Sequence, residues 1–204
     1  MHSDRLMYPP DITERNAWPG PCFSESGGKN EACNEENYVF AAIGSVASGW
    51  EFEEPEWRRV NQPRLNEDQI GLFAIWNVAG QIENGGITQV FYNSFGELAE
   101  DALQGARRFG LNRLADILEE AYDRFARPVP IDREERWRLL EKMAGMQPHD
   151  SEDMEAVSEI FKKCSKVFDD LDDRYFDLLN ESGESILITL ARIIEARKGS
   201  FFKE

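Results

Sequence analysis

Two clusters in this sequence have the residue types that could support chemistry. The run Asn84-Gly85-Gly86-Ile87-Thr88-Gln89-Val90-Phe91-Tyr92-Asn93-Ser94 gathers amides, glycines and aromatics within eleven positions. Amide side chains donate and accept at once, so this cluster suits a polar pocket for a small ligand. It equally suits a structural brace. Asn84 and the glycines would end a helix, Gln89 and Asn93 would satisfy backbone groups, and Phe91 and Tyr92 would fill core. The brace is the expectation, with a small-ligand or enzymatic site across Asn84–Asn93 as the alternative.

The second cluster is Asp169-Asp170-Leu171-Asp172-Asp173. An EF-hand loop started at Asp170 would place Asp172 third and Glu181 twelfth, as calcium needs. It would also place Arg174 fifth and Tyr175 sixth, where an oxygen ligand and a glycine are required. The run therefore reads as surface charge.

Other catalytic signatures are missing. The two histidines, His2 and His149, form no HExxH pair, and the chain has no P-loop and no GxGxxG. Cys22 and Cys33 lack a second ligand pair for zinc, and Cys164 sits on an apolar stripe as a core thiol. Three cysteines at unrelated spacings read as reduced thiols. No catalytic residue, metal or cofactor is expected, and the chain reads as a binding protein.

The net charge of −16 opposes direct nucleic-acid binding, because phosphates need Lys and Arg opposite them. From Asp150 to Glu184 there are twelve acids and four bases, half of the total excess. From Glu25 to Asp68 there are ten acids and four bases. If the two stretches meet in space they make one negative face, which would suit the basic cleft of a nucleic-acid-binding protein. The candidate partner-binding residues are Asp150, Glu152, Asp153, Glu155, Glu159, Asp169, Asp170, Asp172, Asp173 and Asp177. The start has no apolar leader and no stretch is long enough to span a membrane, so a cytoplasmic location is expected.

The elements that must position these residues are helical. Residues 1–34, with four prolines and Gly27-Gly28, read as an irregular lead-in, and 35–204 as one all-α domain. A helix from Glu35 to Gly49 would bury Tyr38, Val39, Ala42, Ile43 and Val46. Glu51 to Pro63 reads as a connection. Asn66 caps a helix that is apolar nearly all round, which predicts a central, buried position ending at Asn84-Gly85-Gly86. Amphipathic helices follow over Glu97–Phe109, from Leu111 to Phe125, and from an Asp132 cap. A capping pattern at Ser151 would open a stripe of Met154, Val157, Ile160, Phe161, Cys164, Val167, Phe168 and Leu171. A last helix spans Glu184–Arg197.

The residues Ala74-Ile75-Trp76, Glu83-Asn84-Gly85-Gly86, Gln89-Val90-Phe91-Tyr92-Asn93-Ser94 and Leu171-Asp172-Asp173-Arg174-Tyr175-Phe176 together resemble the DMP19-like family, the domain of unknown function DUF4375. The resemblance covers roughly residues 65–200. It implies a helical fold and a homodimer. The family is named for a DNA-mimic protein that binds a transcription factor in place of DNA. Asn84, Gly85, Gly86, Gln89, Phe91, Tyr92 and Asn93 carry over as family markers with no catalytic role. Val90 departs from the family, which often has an aromatic there. The expected function is an acidic binding protein, with a DNA mimic on a DNA-binding protein as its sharpest form. An immunity or adaptor protein with a different partner is the alternative.

Overall fold

Asn66 starts the helix around which the rest is assembled. Its side chain accepts the N–H of Gln69 at 2.8 Å, and the Gln69 side chain accepts the N–H of Asn66 at 3.1 Å. This closed capping box satisfies two N–H groups that the first turn cannot.

The computed structural model describes residues 16–17, 20, 22–23, 34–148 and 154–203. Among them are eight helices: α1 (Glu35–Gly49), α2 (Pro55–Asn61), α3 (Glu67–Tyr92), α4 (Ala99–Arg108), α5 (Asn112–Phe125), α6 (Arg133–Met143), α7 (Met154–Ser182) and α8 (Ile186–Ala196). The protein is all-α, and among the described residues a short strand β1 (Asn16–Ala17) lies parallel to β2 (Phe202–Lys203). No helix among the described residues is long and apolar enough to cross a membrane.

The all-round apolar pattern of α3 is explained by its neighbours, since α1, α4, α6, α7 and α8 all pack on it. Two glycines set its closest approach. A Cβ added at Gly71 would lie 2.8 Å from the Gly105 backbone, so α3 and α4 cross with their main chains in contact. Phe91 stacks on Phe125 of α5 at 3.9 Å between ring centroids, and Phe168 of α7 lies 5.5 Å away. At the other end Trp50 packs on Trp57 at 4.5 Å and on Phe73 at 5.1 Å.

The expected helix at Glu35–Gly49 forms with all five inward residues buried. Asn84-Gly85-Gly86 ends the first helical segment of α3, as the glycines predict: Gly85 and Gly86 leave helical geometry, and a second segment joined across this kink runs on to Tyr92. Three expectations need correction. The connection Glu51–Pro63 contains α2, because Pro55 occupies the first helical turn, where its missing N–H costs nothing. Met154 and Val167 fall off the buried side of α7 and are exposed. Cys22 is disulfide-bonded, which overturns the reading of three reduced thiols, whereas Cys164 is free and buried. Cys164 donates to the Leu140 carbonyl at 3.4 Å, and burial pushes its thiol up to about 11. Cys33 and the Ser151 cap lie outside the described residues. The lead-in is fixed where it is described, through β1 and through Cys22 and Phe23, which are buried.

Candidate functional site

The amide-rich cluster folds around the α3 kink. Gly86 sits at φ 74 and ψ −179, a conformation essentially confined to glycine. A Cβ there would lie 2.6 Å from an Asp172 carboxylate oxygen on α7. Asp172 accepts the N–H of Ile87 at 2.8 Å, which restores a cap to the helix that resumes after the kink. Burial raises the Asp172 carboxyl above its ordinary range. The Ile87 N–H draws it down, and the charges of Asp169, Asp173 and Asp170 push it up again.

The amides then pair with one another. Gln81, on the turn before the kink, accepts from Gln89 at 3.2 Å and from Asn93 at 2.5 Å through the same oxygen. Phe91 is buried, and Tyr92 meets Trp137 at 5.4 Å and Phe161 at 5.0 Å. Asn84 is exposed. The amides were expected to serve the backbone, but their partners here are side chains.

The backbone at the end of α3 is served instead by Arg136 of α6. It is completely buried and donates to the carbonyls of Phe91 at 3.1 Å, Asn93 at 2.8 Å, Pro130 at 2.8 Å and Ile131. The Phe91 and Asn93 carbonyls lie at the negative end of α3, where a cation is favoured, and those of Pro130 and Ile131 lie in the stretch that leads into α6. Burial lowers Arg136 to about 10, against the opposing charges of Glu53 and Glu97. Gly96 is required beside it, since a Cβ would meet the guanidinium at 2.5 Å. Sequence reasoning passed over Arg136, although its helical spacing to Leu140 places both on the inward side of α6.

Glu97 makes a second buried node. It accepts from the Trp50 indole at 2.9 Å, from Arg58 at 3.1 Å and from the Glu53 backbone. Arg58 also bonds Asp101 at 2.6 Å. Asp68 accepts from Arg108 at 2.5 Å, Arg197 at 3.2 Å and Ser200 at 2.7 Å. Burial raises the Asp68 carboxyl, but the Arg108 and Ser200 bonds and the two guanidinium charges outweigh it and hold the group below the usual range. Part of the first acidic stretch is therefore internal wiring.

The second stretch splits by direction around α7. Asp150, Glu152 and Asp153 lie outside the described residues. Asp172 turns inward. Asp170 is exposed but held by Arg124 at 2.6 and 2.8 Å. Glu159 pairs with Lys163 at 3.5 Å and Lys162 at 3.8 Å, and Glu155 is exposed. Asp169, Asp173 and Asp177 are exposed and form no ion pair among the described residues. Four-residue spacing places them in one row about 12 Å long on the outer side of α7. Phe176, 42% exposed, stands beside this row. It was not singled out from the sequence, though it falls off the buried stripe by spacing alone.

α7 packs on α3, α5 and α6, while α1 packs on α3 and α8. Among the described residues the first acidic stretch runs from α1 through α2 into the first turn of α3, whereas the second lies on α7. The would-be calcium run is continuous helix, with Tyr175 buried and bonded to Glu83 at 2.9 Å. A cavity of about 540 Å³ lies at the α3–α4 crossing, and one of about 250 Å³ lies between α5, α7 and α8. Both are lined by residues outside the amide cluster.

A family model described as DMP19-like protein matches residues 63–197. The chain belongs to the DMP19-like family. No curated protein and no solved structure matches it. The DMP19-like region runs from the turn before α3 to the end of α8. It thus contains the kink, the buried Arg136 and the acidic row. α1, α2 and the lead-in precede it.

Proposed function

We propose that this DMP19-like protein is an acidic binding protein that occupies the basic surface of a nucleic-acid-binding protein. The observation that carries the reading is the row Asp169, Asp173 and Asp177. Three carboxylates stand about 6 Å apart on a rigid helix, exposed and outside any ion pair among the described residues. Fixed charge of one sign attracts a basic partner over distance and sets its orientation on arrival. The amide cluster supports the same reading from the other side, because Gln81, Gln89 and Asn93 close on one another and Asp172 is engaged at the kink. Action in the cytoplasm and as a homodimer belongs to this proposal; a two-fold axis would bring two such rows into one assembly.

One observation favours the adaptor or immunity reading. Lys162, Lys163 and Lys166 are exposed on the outer side of the first half of α7. The outer face is therefore mixed toward the start of the helix and anionic toward its end, a footprint shorter than a duplex backbone.

The test is capture from lysate at low salt, with a variant carrying Asp169→Lys, Asp173→Lys and Asp177→Lys in parallel. Recovery of a basic nucleic-acid-binding protein that added duplex DNA displaces, and that the variant fails to capture, supports the proposal. Capture of the same proteins by the variant removes the row as the site. A partner indifferent to DNA moves the reading to the adaptor class.

A further inference from the structure

The start of α5, the end of α7 and the start of α8 converge around the cavity of about 250 Å³. The turn between α7 and α8 is braced, because the Ser182 hydroxyl donates to the Leu179 carbonyl at 2.9 Å and accepts the Glu184 N–H at 3.2 Å. Leu111, Leu114, Leu178, Leu179 and Ile186 make the lining mostly apolar. An apolar cavity of about 150 Å³ is enough to take up benzene, so this one has room for a bulky apolar side chain.

The mouth of the cavity carries charge. Arg113 lines it and bonds Glu181 at 2.5 Å, and both side chains are more than half exposed. Asp177 is close enough for its charge to act on Arg113 as well. Two acids and one base therefore stand at the entrance, which favours a cation over an anion there. Glu181 is also the next step of the acidic row. Asp169, Asp173, Asp177 and Glu181 recur every four residues, and such a ridge slants across its helix. It runs about 18 Å along α7, from the outer side to the cavity mouth.

We infer that the partner of the acidic row carries a bulky apolar side chain beside its cations and seats it between α5, α7 and α8. Such a seat serves a partner only if the acidic row is the contact, as proposed above. Cations along the ridge attract without discriminating, since exposed charge pairs contribute little each. One apolar side chain taken out of water adds affinity and fixes the register of the cations on the ridge.

The test uses two labelled peptides on the whole chain, an oligolysine ending in phenylalanine and its twin ending in serine, with binding read by fluorescence anisotropy at low salt. The phenylalanine peptide should bind about tenfold or more tighter. Thr189 lines the cavity and is half-buried, so Thr189→Phe fills the space. That variant should lose the phenylalanine advantage and keep the parent's affinity for the serine peptide. Asp169→Lys, Asp173→Lys and Asp177→Lys together should abolish binding of both peptides. Methyl resonances of Leu178 and Ile186 should shift with the phenylalanine peptide and stay in place with the serine peptide, a readout that needs no variant. Equal affinities for the two peptides, with both lost in the lysine variant, overturn the anchor and leave the row standing. Peptides bound by the lysine variant as by the parent remove the row, and the anchor with it. A phenylalanine advantage that survives in a folded Thr189→Phe variant, or unmoved Leu178 and Ile186 methyls, also overturns the anchor.

Discussion

Asp172 of α7 accepts the N–H of Ile87 at 2.8 Å, across the point where Gly86 breaks α3. The acid thus serves as a cap supplied by a different helix. Its carboxyl is raised, so the folded protein binds a proton that the unfolded chain has already released. Stability from this group therefore falls as pH rises from the unfolded value, about pH 4, through the higher folded value. Asp172→Asn keeps an acceptor for Ile87 and removes the charge. It should match or exceed the parent at neutral pH and flatten that decline. Asp172→Ala should lose about 1 kcal/mol, as deleted caps do. Urea unfolding across pH checks both, and an Asn variant weaker than the Ala variant would sink the account.

Gly86→Ala should destabilise by about 1–3 kcal/mol, because the new side chain meets both a backbone conformation confined to glycine and the Asp172 carboxylate. Gly80→Ala is the control. It lies in the same helix with nothing within 4 Å of the new Cβ, and should be neutral or gain up to about 1 kcal/mol. Thermal melts that rank the two alike would contradict the kink geometry.

Arg136→Met removes a buried cation and leaves the carbonyls at the end of α3 without donors. A loss of about 3 kcal/mol or more is expected, with Lys recovering only part of it, since one ammonium cannot span the same fan of oxygens. Denaturant midpoints measure this directly.

Asp68 sets a different pH dependence. Its folded carboxyl is depressed, so its contribution is present above the unfolded value, about pH 4, and is lost as pH falls through the lower folded value. Asp68→Asn should lower stability at neutral pH and flatten the acid limb, in the opposite sense to Asp172→Asn. Parallel acid titrations followed by circular dichroism distinguish them.

Phe176→Ser should leave the melting temperature within about 2 °C, as surface changes do, while weakening capture of a basic partner. Capture should also weaken steeply between low and physiological salt, because exposed carboxylates are screened. Salt-independent capture would mean that the row is not the contact.

Helix periodicity made α1, α5 and α8 legible in the sequence, and Asn66 and Asp132 announced their caps by residue type alone. The kink was half legible. Glycines mark where a helix yields, but only an acid from α7, distant in sequence, determines that it resumes. The acidic face was overread for a related reason. Counting charges gives their number but not their direction, and Arg124 and Ile87 reach Asp170 and Asp172 from other elements. Arg136 was legible by spacing, yet nothing local showed that its partners would be carbonyls from α3.

The inside and outside of α7 are separately editable. Asp172 and Tyr175 tie the helix to α3, while Asp169, Asp173 and Asp177 project from its other side and make none of the bonds in that joint. A chain that keeps the kink and its acid can exchange the outer letters freely. The kink with Asp172 and Tyr175 is therefore a mount, and Asp169 and Asp177 can change without loosening a bond that holds it.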